Sequence, residues 1–538
     1  MGYNFAGGGD GDQVFLMPPD PRDWLPPRHL AWAVRRQVGE LDLAAFLAGY
    51  RADGQGNTAY HPRMMTALIM YCYCKGIRSC RAIEMATWDD VGARVICGGL
   101  HPDHATNARF VTRHKEPLKE LLVQSLAACA REGLVRVDLT AGDGTKVKAN
   151  ASVAANATAE QLGLDIAELE RLLEAEVAAW MEEARVADAA EDALFSGDVP
   201  PPAGRTPAGT ARKRTAGKLA RREAARAKLQ AAGQARQQQA EAARADKIAR
   251  LTARKDHLEG RAAAELARAR AKVDRHAQRE AAAAAGHGKR PPGQVPAPAE
   301  QQRGARVSRE AAARAAAKLD AAIAAPAVAR APARPPQANV TDPASALMPL
   351  KKGGFDQLYN LQALAGRRQV IFAVGTHPST VDTGALHPLL AAAAANLAAA
   401  GITEPIGKAL WDAGYASEDN FTAPCQADLY VAVTRESAQA AGGTAPPSSQ
   451  PGWQAMAAKL DTPEGRAIYR QRKAIIEPVF AQVFTRFGRT LHYRGDMADT
   501  EIHLWAAVHN TLKAIRARAR REQRERQAAA PVPALAAA

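Results

Sequence analysis

Apolar positions change their rhythm along this chain, and each change marks a boundary. Over residues 10–130 the pattern is mostly helical, which predicts an all-helical N-terminal region. Runs of strand composition follow: Leu134-Val-Arg-Val-Asp-Leu, then Phe355 to Ala365, Gln369 to Gly375, Ile406 to Asp412 and Asp428 to Thr434. Helical patterns separate the last three, one over Thr383 to Ala400 and a shorter one after Ser417. A final amphipathic helix is predicted near Pro463 to Phe487. Two or three strands in succession, then helix alternating with strand, predict a mixed α/β sheet split between residues 131–155 and 337–515.

The interval 156–336 interrupts that sheet and has a different character. From Pro201 to Val340 there is no Phe, Trp or Tyr, and about a third of the residues are alanine, far above ordinary usage. Ala211 to Glu280 is built from good helix formers, yet Leu219, Leu229, Ile248, Leu251 and Leu258 are too sparse for a heptad seam. Proline clusters follow at 291–298 and 326–336. Solvated helices and flexible linkers are expected there rather than a packed domain. Residues 516–538, basic and alanine-rich, read as a disordered tail.

Composition sharpens this picture. At 538 residues and 57.2 kDa the chain exceeds one ordinary core, so two to four domains are expected. Hydrophobic residues make up 47% but aromatics only 5%, so alanine inflates the apolar count. The net charge of +15 favours a polyanionic partner, nucleic acid before membrane. That charge is uneven: residues 151–200 carry −10 and residues 201–340 carry +19. The basic stretch reads either as a helix array for DNA backbone or as an unstructured insert. No apolar run approaches the roughly 20 residues of a membrane span, and no signal pattern opens the chain, so a cytoplasmic protein without membrane partners is expected. The six cysteines include no C-x-x-C pair and read as reduced core thiols. No phosphate-binding glycine loop is present.

Three acids stand out by position. Asp143 lies on or just after the first strand, Asp412 ends the apolar run from Ile406, and Glu477 sits inside the apolar run Ala474 to Phe480. Singly, each reads as a turn carboxylate, an N-cap or a surface glutamate. Glu477 fits that reading least, because an unpaired buried charge is expensive and a bound cation would relieve it. Pro478 is expected to kink or restart the helix. Converging carboxylates make a hard-cation site, and two ions about 3.5–4 Å apart clamp the oxygens of an in-line phosphoryl displacement. Among rival acids, Asp138 should face the opposite side of the strand, Asp382 should cap the helix that follows it, and Asp342 should sit in a turn. His101 and His104 have metal-like spacing but lack further ligands nearby.

In chain order, several motifs point the same way. They are Leu16-Met-Pro-Pro, Asp23-Trp-Leu-Pro, Tyr60-His-Pro, Gly76-Ile-Arg-Ser-Cys-Arg-Ala-Ile-Glu84, Pro102-Asp-His104 with Arg109-Phe110, and Asp143-Gly-Thr-Lys-Val-Lys-Ala-Asn-Ala-Ser152. Thr341-Asp-Pro343, Lys352-Gly-Gly354, Tyr359-Asn-Leu-Gln362, Asp412-Ala-Gly-Tyr415, and Tyr469 and Arg472 with Glu477-Pro-Val-Phe480 follow. Over residues 10–155 and 337–515 the chain resembles a bacterial insertion-sequence DDE transposase with an RNase H-like catalytic domain.

The resemblance implies that Asp143, Asp412 and Glu477 hold two Mg2+ ions, with Mn2+ as a substitute. It implies that Tyr469 and Arg472 contact DNA backbone. Helical geometry adds Arg470 and Lys473, within about 40° of Glu477 on one continuous helix. In the helical 60–95 region, Arg78 and Arg81 belong to a helix-turn-helix-like DNA reader. Two departures stand: Phe484 occupies a position where the family often has lysine, and the long insertion has no counterpart. The implied function is Mg2+-dependent cleavage and transfer of DNA strands at terminal inverted repeats, by a nucleoid-associated homodimer in the synaptic complex. The alternatives are a catalytically inactive, transposase-derived DNA-binding protein and a plain RNase H-like nuclease.

Overall fold

The computed structural model describes residues 20, 23–48, 50, 58–194, 207–287, 289–291, 293–329, 335–350, 352–434 and 450–529. The Leu16-Met-Pro-Pro motif and residues 530–538 of the tail lie outside them. The chain divides into two compact units, with Ala157–Ala338 forming one and the flanking segments the other.

The flanking segments build a six-stranded sheet: β1 (Leu139–Lys148), β2 (Ala346–Pro349), β3 (Phe355–Gly366), β4 (Ile371–His377), β5 (Lys408–Trp411) and β6 (Asp428–Val431). β3 runs antiparallel to β1 along one edge, and its other edge is shared by β2 and β4. β5 lies parallel to β1 and β6 parallel to β5. The expected mixed α/β class with a helical N-terminal region is what the structure has. The first strand starts at Leu139 rather than Leu134; Leu134 and Val135 pack on the core ahead of it, and hydrogen bonding to the β5 segment begins where the Val137 carbonyl accepts from Gly407 N at 2.9 Å.

Both sheet faces are covered. On one, Leu139, Ala141, Val147 and Leu361 meet the N-terminal helices, including Pro62–Cys74 and Lys115–Arg131, together with helix Arg472–Phe487 and the last helix, Asp496–Ala529. On the other, Trp411, Phe372 and Leu364 meet helix Leu386–Ala399. The helices before residue 130 thus share one core with the sheet. All six cysteines are free, and Cys72, Cys74, Cys97 and Cys129 are buried. His101 stacks on Trp88 and His104 bonds Glu84 at 2.8 Å, ordinary contacts for both. Among the described residues no helix is long and apolar enough to cross a membrane.

Several local expectations change. The single helix over 463–487 is two, Pro463–Tyr469 and Arg472–Phe487, so Arg470 is no longer in phase with Glu477. Pro478, expected to kink or restart the helix, is carried inside the second. The carbonyl that Pro478 cannot bond, Ala474 O, accepts instead from Gln369 Nε2 at 3.4 Å. Residues 516–529, read as tail, continue the last helix, where Arg518 grips Glu40 at 2.6 Å and Glu132 at 3.2 Å.

The insertion is three helices, Ala159–Leu194, Pro207–Ala284 and Arg303–Ala324, with a paired two-stranded ribbon where the chain enters and leaves it. Composition alone predicted solvated helices. Instead Ala225, Ala269, Ala305, Ala312 and Ala315 are buried, since alanine lets helices approach closely enough to form a thin core. The acidic first helix also neutralises part of the basic second one, through Asp165 to Arg222 at 2.7 Å.

Candidate active site

β1 and β5 bring the first two acids together. Their register sets Thr140 beside Ala409 and Ala141 beside Leu410; two residues further on, Asp143 stands beside Asp412. Gly142 allows this approach, because a Cβ there would lie 2.1 Å from the fully buried Trp411 ring. Gly142 and Trp411 share one sheet face, so by alternation the two aspartates share the other.

Each carboxylate is positioned locally. Asp412 Oδ1 accepts from Gly414 N at 2.9 Å, capping the short turn of helix Ala413–Tyr415. Asp143 Oδ1 accepts from Gly144 N at 2.8 Å, and its Oδ2 receives the Arg472 guanidinium at 3.4 Å. The Arg472 side chain is only 6% exposed, so this is an interior ion pair. Burial, then the charge of Asp412, push the Asp143 carboxyl up to about 6 against the opposing pull of Arg472.

Oxygen donors carrying excess negative charge suit a hard divalent cation. Mg2+ commonly shares one or two carboxylates with water and substrate phosphate, and Asp143 with Asp412 fit that pattern. A complete protein cage is absent: among the described residues no group of three or more His, Cys, Asp or Glu is arranged to hold a metal.

Glu477 departs from expectation. It is exposed, so no buried charge there calls for a cation. The apolar run turns Ile475, Ile476 and Val479 inward and leaves Glu477 in solvent. It stands five residues beyond Arg472, about 140° around the helix from the side chain that reaches Asp143. Phe484 is a core residue, stacked with Phe480, and the Arg489 guanidinium lies 4.3 Å over its ring.

The expected DNA contacts also separate. Arg470 and Lys473 are exposed, Arg81 is exposed, and Tyr469 packs partly against the core. Arg78 turns inward: it pairs with Glu501 at 3.0 Å, donates to Thr490 O at 2.9 Å and lies over Trp505.

A buried polar network under the site escaped sequence reasoning. Asp382 caps no helix through its side chain. Its Oδ1 instead accepts from Asn360 Nδ2 at 2.7 Å and Gln362 Nε2 at 2.8 Å, and the Tyr415 hydroxyl donates to Gln362 Oε1. A Cβ on Gly414 would lie 3.0 Å from Asp412 Oδ1 and 3.3 Å from Asp382 Oδ2, so Asp382 is a third acid at this strand end. The signal was present: Asn360 and Gln362 alternate on one face of an otherwise apolar strand, and buried amides need partners. Asp342, by contrast, closes its expected turn with Ser345 and accepts from Tyr359 OH at 2.7 Å. Asp138 precedes β1 and pairs with Arg367 at 3.0 Å.

Fold and site define a mixed α/β protein with paired carboxylates on adjacent parallel strands, one within β1 and one just past the end of β5. Residues 19–113, in the helical region that shares the sheet's core, match the family model of a transposase domain (DUF772), and the chain is accordingly transposase-related. No curated protein and no solved structure matches it.

Proposed function

We propose that this chain is a DNA transposase that cleaves and transfers strands at element ends, with Asp143 and Asp412 as its central metal ligands. The observation that carries this is the register of β1 and β5, which sets the two carboxylates side by side beneath a transposase-type helical region. The strand order, β4–β3–β1–β5–β6 with β3 antiparallel to β1, supports an RNase H-like catalytic core.

Asp143 and Asp412 would hold a divalent cation, which when bound would supply activation of the attacking oxygen and stabilisation of the leaving one. The chain's own residues prepare the place. Arg472 offsets the repulsion between the aspartates, and the Gly144 and Gly414 amides fix their oxygens. The Asp382–Gln362–Tyr415 network braces the turn that carries Asp412. A second reading, a DNA-binding protein that no longer cuts, draws on the exposure of Glu477.

The test is cleavage of labelled DNA spanning the ends of the segment that encodes the chain, with Mg2+. Wild type is expected to cut, while Asp143→Asn and Asp412→Asn bind without cutting. If Glu477→Gln still cuts, the third oxygen comes from elsewhere. Tight binding without cutting by wild type favours the second reading. Failure to bind the ends overturns both.

A further inference from the structure

Away from the aspartates, a cleft of about 520 Å³ opens between helix Arg472–Phe487, the last helix and the C-terminal end of helix Pro62–Cys74. Lys75, Arg486, His509, Lys513 and Arg516 line it, and no Asp or Glu does among the described residues. Lys75 is already neutralised by Asp90. Among the described residues the other cations meet neutral partners: Arg486 donates to the Cys74 carbonyl, and Lys513 to the Arg368 carbonyl at 3.0 Å. Arg516 is exposed and forms no ion pair among the described residues.

From this geometry we infer that the cleft is a track for the phosphate backbone of duplex DNA. Cations left without counter-charge around an open cleft cost energy unless an anion arrives to share them. Exposed Gln482 and Thr485 on the same wall add neutral donors suited to phosphate oxygens. The electrostatics of His509 agree. Burial is the main cause that depresses its imidazole to about 4, and the charges of nearby Lys513, Arg486 and Arg516 add to it against the pull of the Gln369 carbonyl.

Position favours a strand leading to the site over a small free anion. One wall of the cleft is the helix whose first residue, Arg472, reaches Asp143. Arg486 follows about 21 Å along that helix at 1.5 Å per residue. That is roughly six phosphate steps of a duplex strand at 3.4 Å each. Of these cleft cations only Lys75 lies in the helical 60–95 region expected from sequence to read DNA. The inference rests on the DNA-processing reading above.

The test is binding of an arbitrary duplex of about 30 base pairs to the full chain, by fluorescence anisotropy between 50 and 200 mM salt. Arg486→Gln/Arg516→Gln is expected to weaken binding at least tenfold at 100 mM salt and to reduce the log K against log salt slope by about 2. Arg516→Glu, at an exposed position, should act in the same direction with an unchanged melting temperature, which separates a charge effect from misfolding. If wild type binds and both variants keep its slope and affinity, the cleft proposal falls alone. If wild type binds no duplex, the DNA reading falls and takes the cleft with it.

Discussion

Replacing Gly142 by alanine puts a methyl group where Trp411 already stands. The new Cβ would lie 2.1, 2.4 and 2.6 Å from three atoms of the indole's six-membered ring. Carbon atoms rest comfortably at about 3.5–4 Å, so the ring must retreat by roughly 1.4 Å. Retreat is obstructed, because Trp411 is fully buried and tilted against Tyr415, with centroids 4.8 Å apart. Overpacking a close-packed core costs about 1–3 kcal/mol, and three simultaneous clashes place this change near the top of that range. In a unit of this size about 3 kcal/mol lowers the melting temperature by roughly 4 °C. Trp411 directly precedes Asp412, so its retreat also shifts one carboxylate against the other. A misplacement of about 1 Å costs on the order of a hundredfold in rate. The assay is thermal unfolding by circular dichroism on wild type, Gly142→Ala, Trp411→Phe and the double variant, with end cleavage on the same four. Phenylalanine vacates part of the space the methyl needs, so the double variant should be at least about 1 kcal/mol more stable than the single effects summed. A Gly142→Ala protein that melts with wild type refutes the reasoning, as does a cycle additive within about 0.5 kcal/mol.

Two further predictions concern buried charge. The Glu501 carboxylate, fully buried, accepts from Arg78 at 3.0 Å and from the His492 and Tyr493 amides at 2.8 and 3.1 Å. Glu501→Ala strands the guanidinium and should cost about 3–5 kcal/mol, read as a melting temperature lower by roughly 4–7 °C. Arg78→Met/Glu501→Leu should lie closer to wild type, and a drop under about 2 °C for Glu501→Ala counts against the account. In metal-free protein the Asp143 carboxyl titrates near 6 rather than its ordinary 3.8, so the folded chain holds the proton more tightly than the unfolded one. The stability this contributes is complete below about pH 4 and is lost as pH rises through 6. Asp143→Asn should therefore match wild type at pH 4 and exceed it at pH 7.5 by on the order of 1–3 kcal/mol. Equal differences at both pH values would sink the charge-pair explanation.

Local pattern carried the sheet well. The strands around 355–366, 371–377, 408–411 and 428–431 follow from runs of apolar and β-branched residues, whose period is a property of the chain itself. Asp143 and Asp412 were legible as acids on or just after strands for the same reason: one lies within a strand and the other just after one. The helix break at Arg470 and Gln471 was harder to see, because periodicity shows that helices exist better than where they stop.

What sequence determined, then, was the order and kind of elements, the mixed α/β class and the two aspartates on or just after strands. Tertiary structure alone decided which side chains meet. Arg78 and Glu501 lie 423 residues apart, and no local rhythm tells an arginine that its partner is a buried carboxylate rather than a phosphate. Glu477 is exposed because a helix can rotate an apolar run so that one member faces solvent. Asp382 joins the site only because Asn360 and Gln362 reach it across the sheet. The cations of the basic cleft come from three helices whose packing brings residues 75, 486, 513 and 516 around one space. Backbone periodicity is local, but charge pairing and burial are settled only when distant segments pack.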